Sequence, residues 1–398
     1  MPSLCRRSFG GSLFLPPEVR VLFSFRNSNS ACGPVGIDCG SDALRLLQLR
    51  TVAGGTITSH LEVSVAREQP LAPLARRDSG AAWIRAAEEA AEGWRTARFR
   101  SSRFVLSLPA PRTQFQIVSL PSLARADFER ASQWEASDRF GMDHGDLCAT
   151  ALPTNAPATT DGKGEYLLVA VEQSFVEAML EPFLRRGLEP VAVEPRFASA
   201  ARAASRHARR EADRSRVRGV VLVGRDETTI LVLRGDEIAF ARELPSGNLA
   251  IDQAISERLG LSMEDASLLR QEIALSPSTP FTSHAAQAAR DAARPVLAMI
   301  ANEATMCFRY YSVRFRGGTP SSVLVLGSGD GALSQEIKQA SGIATAVDDE
   351  RSSFQTLALS LSEANVRSDS ALWLAAYGAA CKSSATPRAA QTTQRDAA

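Results

Sequence analysis

Val35-Gly36-Ile37-Asp38-Cys39-Gly40-Ser41 is the stretch on which the reading of this chain turns. A short apolar run suited to a buried strand ends on a carboxylate, a glycine and a serine make a turn, and Leu44 to Leu49 resume a strand pattern. A carboxylate at a strand end can hold Mg2+ through water, because that ion keeps much of its hydration shell. Gly40 would let backbone amides approach a phosphate, and the Ser41 hydroxyl would add a donor. Aspartate, glycine and serine are equally the residues of an ordinary turn, so the motif by itself leaves both readings open.

The same opening returns later in the chain. Val220 to Val223 and Thr229 to Leu233 read as a strand, a polar turn and a second strand, and Glu237 to Leu244 reads as a third after Arg234-Gly235-Asp236. Two halves that start alike predict two similarly wound lobes with a cleft between them. A further candidate loop, Gly327-Ser328-Gly329-Asp330-Gly331, follows the apolar strand Val323 to Leu326 and precedes a helix over Ala332 to Ala340. Such a loop sets a helix N-terminus beside flat backbone where adenosine or phosphate can rest. Ala332 stands where a full G-x-G-x-x-G pattern would have its third glycine.

Between these landmarks the chain reads as alternating strands and helices. Ala81 to Arg98 is helical, with Trp83, Ala87, Ala90 and Trp94 on one stripe that suits a core. Thr113 to Leu120 and Glu165 to Val171 are strand-like; Ala126 to Phe140, Ser174 to Arg186, Phe197 to Arg209 and Arg290 to Phe308 are helical. Ser262 is a natural N-cap for the helix running to Gln271. Asp138, Asp143, His144 and Asp146 lie close together, but their spacing fits no metal loop, and they read as a solvated turn.

Composition narrows the function. A chain of 398 residues can hold two or three compact units, and a net charge of +1 argues against bulk attraction to nucleic acid. The lysines are Lys163, Lys338 and Lys382, none in a P-loop context. The six cysteines show no C-x-x-C pair, which excludes an obvious zinc site and fits a reducing compartment. No apolar run reaches the ~18 residues of a membrane-spanning helix. Near the N-terminus, Pro16, Pro17, Glu18 and Arg20 interrupt the apolar stretch that a secretory signal would need.

In their order and spacing these motifs resemble the actin-like superfamily, and Val35 to Cys381 is similar to the PilM family of type IV pilus assembly proteins. The resemblance is carried by the Val35 to Ser41 stretch, Leu167-Leu168-Val169-Ala170-Val171, Gly187-Leu188-Glu189-Pro190-Val191-Ala192-Val193-Glu194, Arg242-Glu243-Leu244-Pro245-Ser246-Gly247, Leu326-Gly327-Ser328-Gly329 and Ala376-Tyr377-Gly378-Ala379-Ala380. It implies an α/β, actin-like (ribonuclease H-like) two-lobed fold with a small subdomain inserted in the first lobe. Residues 34–108 and 188–218 would form the first lobe, 109–187 the insert and 219–381 the second lobe, with 1–33 and 382–398 as disordered ends. ATP and Mg2+ would lie in the cleft, with Asp38 holding the metal. Gly40, Ser41, Thr228 and Thr229 would face the phosphates, and Gly327 and Gly329 the adenosine end.

The chain departs from that family where nucleotide chemistry matters. The second phosphate loop usually reads Asp-x-Gly-Thr, but here the stretch is Val223-Gly224-Arg225-Asp226-Glu227-Thr228-Thr229. Ala266-Ser267-Leu268-Leu269-Arg270 lacks the family's adenosine-side Glu and Lys, and Asp42 adds a negative charge after Ser41. A weakened or lost ATP site is therefore expected, with slow turnover at most. The resemblance implies a cytoplasmic adaptor, peripheral to the inner membrane through the tail of a PilN-like bitopic protein and joined to other pilus or secretion assembly proteins. A sugar-type, ATP-dependent small-molecule kinase is the alternative; it would need a general base and an intact second loop.

Overall fold

In the computed structural model the described residues are 32–53, 59–71, 80–154, 163–206, 213, 215–275, 284–315, 318–327, 331–345, 361 and 370–382. The chain opens with an antiparallel meander of β1 (Cys32–Cys39), β2 (Ala43–Ala53) and β3 (Ser59–Pro70). Helix α1 (Gly80–Glu92) then carries it to β4 (Arg103–Leu108), which lies parallel to β1, and β8 (Glu189–Pro195) extends that side. The resulting sheet has the order β3-β2-β1-β4-β8. Its central strands are buried on both faces, as parallel strands covered by helices are. The predicted stripe is core, although the helix expected to Arg98 ends at Glu92: Trp83, Ala87 and Ala90 of α1 and Trp94 just past it pack with Phe104 and Phe183, the latter from α3 (Gln173–Leu184).

The second half repeats the plan. Strands β9 (Val217–Val223), β10 (Thr228–Arg234) and β11 (Glu237–Leu244) form another antiparallel meander. Three helices follow: α5 (Asn248–Leu259), α6 (Met263–Leu275) and α7 (His284–Arg314). The chain then returns through β12 (Val323–Leu326), parallel to β9, and enters α8 (Ala332–Ser341). The order β11-β10-β9-β12 is the first sheet's β3-β2-β1-β4 over again, so the echo in the sequence is an echo in topology. Val35 to Asp38 and Val220 to Val223 lie in two different sheets, as the sequence predicted.

Between β4 and β8 the chain makes a third, antiparallel sheet of β5 (Gln114–Leu120), β7 (Gly164–Glu172) and β6 (Leu147–Pro153), in the order β5-β7-β6. Helix α2 (Arg125–Phe140) covers one face over a small core of Val118, Leu120, Ala136, Leu147 and Leu168. Strand β6 follows the Gly141–Gly145 turn, although Leu147-Cys148-Ala149-Thr150-Ala151-Leu152 carries few strand formers. Asp146, from the acidic turn before it, accepts bonds from the backbone N–H and hydroxyl of Ser174 at the start of α3. His144 stacks on Trp134. No metal-holding cluster occurs among the described residues.

Helix α4 (Arg196–Ala204) joins the lobes. It is buried on nearly every side: Phe197 and Ala201 join a core that holds residues of both sheets, while Ala200 and Ala203 meet Leu222 of β9. Its alanines let two sheets approach from opposite sides, and its buried polar residues Arg196 and Ser199 are hydrogen-bonded.

The C-terminal helix α9 (Leu374–Ala380) differs from expectation. Assigned by sequence to a second lobe ending at 381, it packs instead on β1, β2 and α4. Its approach is close enough that a Cβ on Gly36 would collide with the backbone of Ala376 and Ala380, and one on Gly378 with the carbonyl of Ser199. Strand β1 starts at Cys32, within the expected extension, and Lys382, placed in the expected tail, is ion-paired to Glu194. No helix among the described residues is long and apolar enough to cross a membrane.

Candidate functional site

Asp38 lies next to last in β1 and is fully buried. Both its oxygens accept from Arg196, the first residue of α4: Nε to Oδ1 at 2.9 Å and Nη2 to Oδ2 at 3.3 Å. The remaining arm, Nη1, reaches Glu227 in the turn between β9 and β10. A planar guanidinium matches this forked geometry, and charge-assisted bonds of this kind are the strong ones. Burial alone would lower the Arg196 pKa; Asp38 and Glu227 overcome that and raise it. Burial pushes the Glu227 carboxyl upward, with Arg196 pulling the other way. Glu243 of β11 is pushed up to about 7 by burial, with Glu227 adding to it.

The turn after β1 satisfies itself. The Gly40 amide donates to the Ala43 carbonyl, and the Gly40 carbonyl accepts from Trp83 Nε1, each at 3.0 Å. Asp42, expected to set a negative charge beside a phosphate, is held by Arg45 Nη1 and Nη2 at 3.0 and 2.9 Å. Burial would raise its pKa, but Arg45 brings it below the ordinary value. Ser41 sits half-buried in this turn.

On the second lobe Thr228 is fully buried and its hydroxyl donates to the Ser246 carbonyl at 2.7 Å; Thr229 is also buried. The first amides of α5 are engaged by the same turn: Asn248 and Leu249 donate to the carbonyls of Gly224 and Arg225 at 2.9 and 2.8 Å. Gly327 has φ +85°, and a Cβ there would collide with the Val223 carbonyl; its own carbonyl accepts from Asn248 Nδ2 at 3.0 Å. Gly329 lies outside the described residues.

The structure thus brings Asp38, the Gly40 turn, the β9–β10 turn and Gly327 together, with Asp38 and Glu227 engaged by Arg196, while Arg225 Nε, Asp226 Oδ1 and Asn248 Oδ1 are buried without a hydrogen-bond partner. A hydrated Mg2+ at Asp38 would need the oxygens that Arg196 holds. As placed here, these residues do not fit a magnesium nucleotide. Sequence reasoning missed Arg196 because nothing in the spacing links position 196 to 38 or 227; a lone arginine after Pro195 was the one visible sign.

A second feature involves none of these residues. A cavity of about 790 Å3 is walled by Thr150, Leu152 and Pro153 of β6, by Val193, Glu194, Ala198 and Arg202 of the β8–α4 corner, and by Asp236 to Ile238 of the second lobe. Glu194, only 4% exposed, carries an ion cluster on this wall. Arg202 Nη1 and Nη2 reach its two oxygens at 2.6 and 2.7 Å, and Lys382 Nζ lies at 2.6 Å. Burial would raise the Glu194 pKa, yet Arg202 and Lys382 bring it down to about 2. Strand β6 is an edge of its sheet, so its outer backbone faces away from β7.

Over residues 36–384 the sequence matches the family described as type IV pilus assembly protein PilM. The chain belongs to the PilM family. Among solved structures, a PilM–PilN type IV pilus biogenesis complex is similar to it with a TM-score of 0.65 at 20% identity, covering 87% of this chain and 97% of that one. The cytoplasmic domain of EpsL, an inner-membrane component of the type II secretion system of Vibrio cholerae, gives 0.36 at 11% identity, over 78% and 94% of the two chains. An archaeal actin homolog gives 0.42 at 12%, over 87% and 98%. No curated protein sequence matches. At such identities a structural likeness speaks for the fold alone, and this PilM family member has the two-lobed actin-like α/β fold its sequence implied.

Proposed function

We propose that the protein is a non-enzymatic adaptor of a type IV pilus inner-membrane assembly complex, docking the cytoplasmic tail of a PilN-like bitopic protein. The observation that carries this reading is the cavity of about 790 Å3 where the inserted sheet, the first lobe and the β10–β11 turn of the second lobe meet. A disordered tail orders on binding, and a few apolar anchors can give it useful affinity. Leu152, Pro153 and Ile238 offer apolar contacts, and edge strand β6 offers main-chain groups. The protein would then sit at the cytoplasmic face of the inner membrane through its partner.

The small-molecule kinase reading loses support at Asp38. Phosphoryl transfer depends on metal ions that neutralise the phosphates, and the carboxylate that would hold one is bound by Arg196.

Binding of a synthetic peptide, copying the cytoplasmic tail of the PilN-like protein encoded with this chain, tests the proposal by fluorescence anisotropy. Thr150→Arg, which projects a long side chain into the cavity, is expected to weaken binding at least about tenfold. Unchanged affinity in that variant would place the tail elsewhere, and an absence of binding to the wild-type chain would remove the proposal.

A further inference from the structure

Asp38 and Glu227 belong to opposite lobes and turn their carboxylates toward one buried guanidinium. Two such groups facing each other across a low-dielectric cleft repel unless a cation lies between them. In a cleft working with a magnesium nucleotide, that cation would be the metal. We infer that Arg196 stands where the divalent cation would: its guanidinium lies between Asp38 and Glu227, offsets one of their two charges and holds the two lobes closed with no nucleotide bound. The inference rests on the misfit of the cleft to a magnesium nucleotide, and not on the docking of a tail.

The geometry supports a permanent part rather than a passing contact. Nε and Nη2 are directed at Asp38 while Nη1 is directed at Glu227, so each arm of the fork has an acceptor. The guanidinium cannot lose its proton in a protein, which makes its charge constant where a bound metal's would depend on supply. Its side chain is 7% exposed and its backbone begins α4, the helix packed between both sheets. The Glu227 loop is itself braced, since the Glu227 carbonyl accepts from the Gly224 amide at 2.8 Å. Placing a hydrated Mg2+ on Asp38 would displace Arg196 and leave a buried charge without its partners.

The test uses the full-length chain and Mg-ATP at millimolar concentration. Wild-type protein is expected to give no heat in calorimetry and no rise in melting temperature. Arg196→Ala is expected to lower the melting temperature by about 5–10 °C. It should also speed amide hydrogen exchange at least about tenfold in both 196–204 and 224–227, while β1 and β10 stay protected. Should that variant not fold, Glu227→Gln is read in the same two segments. The triple variant Asp38→Asn, Arg196→Gln, Glu227→Gln is expected to melt above Arg196→Ala, because the neutral set leaves no charge unpaired. A melting temperature raised by Mg-ATP in the wild type but not in Asp38→Ala would overturn the inference. So would exchange unchanged in both single variants, or a triple variant no more stable than Arg196→Ala. None of these readouts involves the peptide, so their failure and that of the docking proposal are separable.

Discussion

Glu194 and Arg196 stand two residues apart at the β8–α4 corner, and each organises a buried ion cluster with a different task. Glu194 of β8 gathers Arg202 from α4 and Lys382 from just past α9. Arg196 joins Asp38 of the first lobe to Glu227 of the second. The first cluster ties a C-terminal helix to the sheet it covers; the second spans a cleft. Both are arginine–carboxylate pairs, Arg196 at 7% exposure and Arg202 at 28%. The difference is whether the partners are fixed to one rigid body or to two. Glu194 and Pro195 also line the cavity beside β6, so the corner that closes the cleft is continuous with the docking site proposed above.

That comparison can be broken experimentally, and the largest effect is expected on its cleft side. Arg196→Ala strands two buried carboxylates and should cost about 3–5 kcal/mol in denaturant unfolding. Arg202→Ala leaves Glu194 with Lys382, and its own side chain is 28% exposed, so about 1–2 kcal/mol is expected. Equal losses would show that the cleft pair is no more than another structural bridge.

Acid titration sharpens the other side. Because the Glu194 pKa falls from 4.5 to about 2 on folding, its ion pairs contribute fully above 4.5, and the contribution is lost as pH drops toward 2. Glu194→Gln should therefore destabilise by about 2–3 kcal/mol at pH 7 and flatten the acid limb of the stability curve. A wild-type acid limb unchanged by the substitution would remove Glu194 from this role.

The smallest effect is expected at Glu243. Its pKa rises from 4.5 to about 7, so the folded state retains a proton the unfolded state has released, and stability declines as pH climbs through that window. Glu243→Gln abolishes the decline and should stabilise the protein at pH 8 by about 1 kcal/mol. A loss of stability at pH 8 would show that the charged form is welcome where it lies.

The sequence by itself determined the two strand–turn–strand openings at Val35 and Val220, because period, glycine turns and apolar runs are local properties. It also determined the α1 stripe and the order of motifs that carries the family likeness. It placed Asp38, Gly40, Thr228 and Gly327 near one cleft, since each sits at the end of a strand and the lobes repeat one plan. Only the tertiary structure decided which charge faces which. Arg196, Asp38 and Glu227 are far apart in the chain and meet because α4 is wedged between two sheets. Likewise α9 returned to the first sheet through the bare backbone at Gly36 and Gly378, a complementarity visible only when both surfaces are in place. Local sequence sets the elements; burial sets the partners, because a charge removed from water must find its opposite wherever the fold provides one.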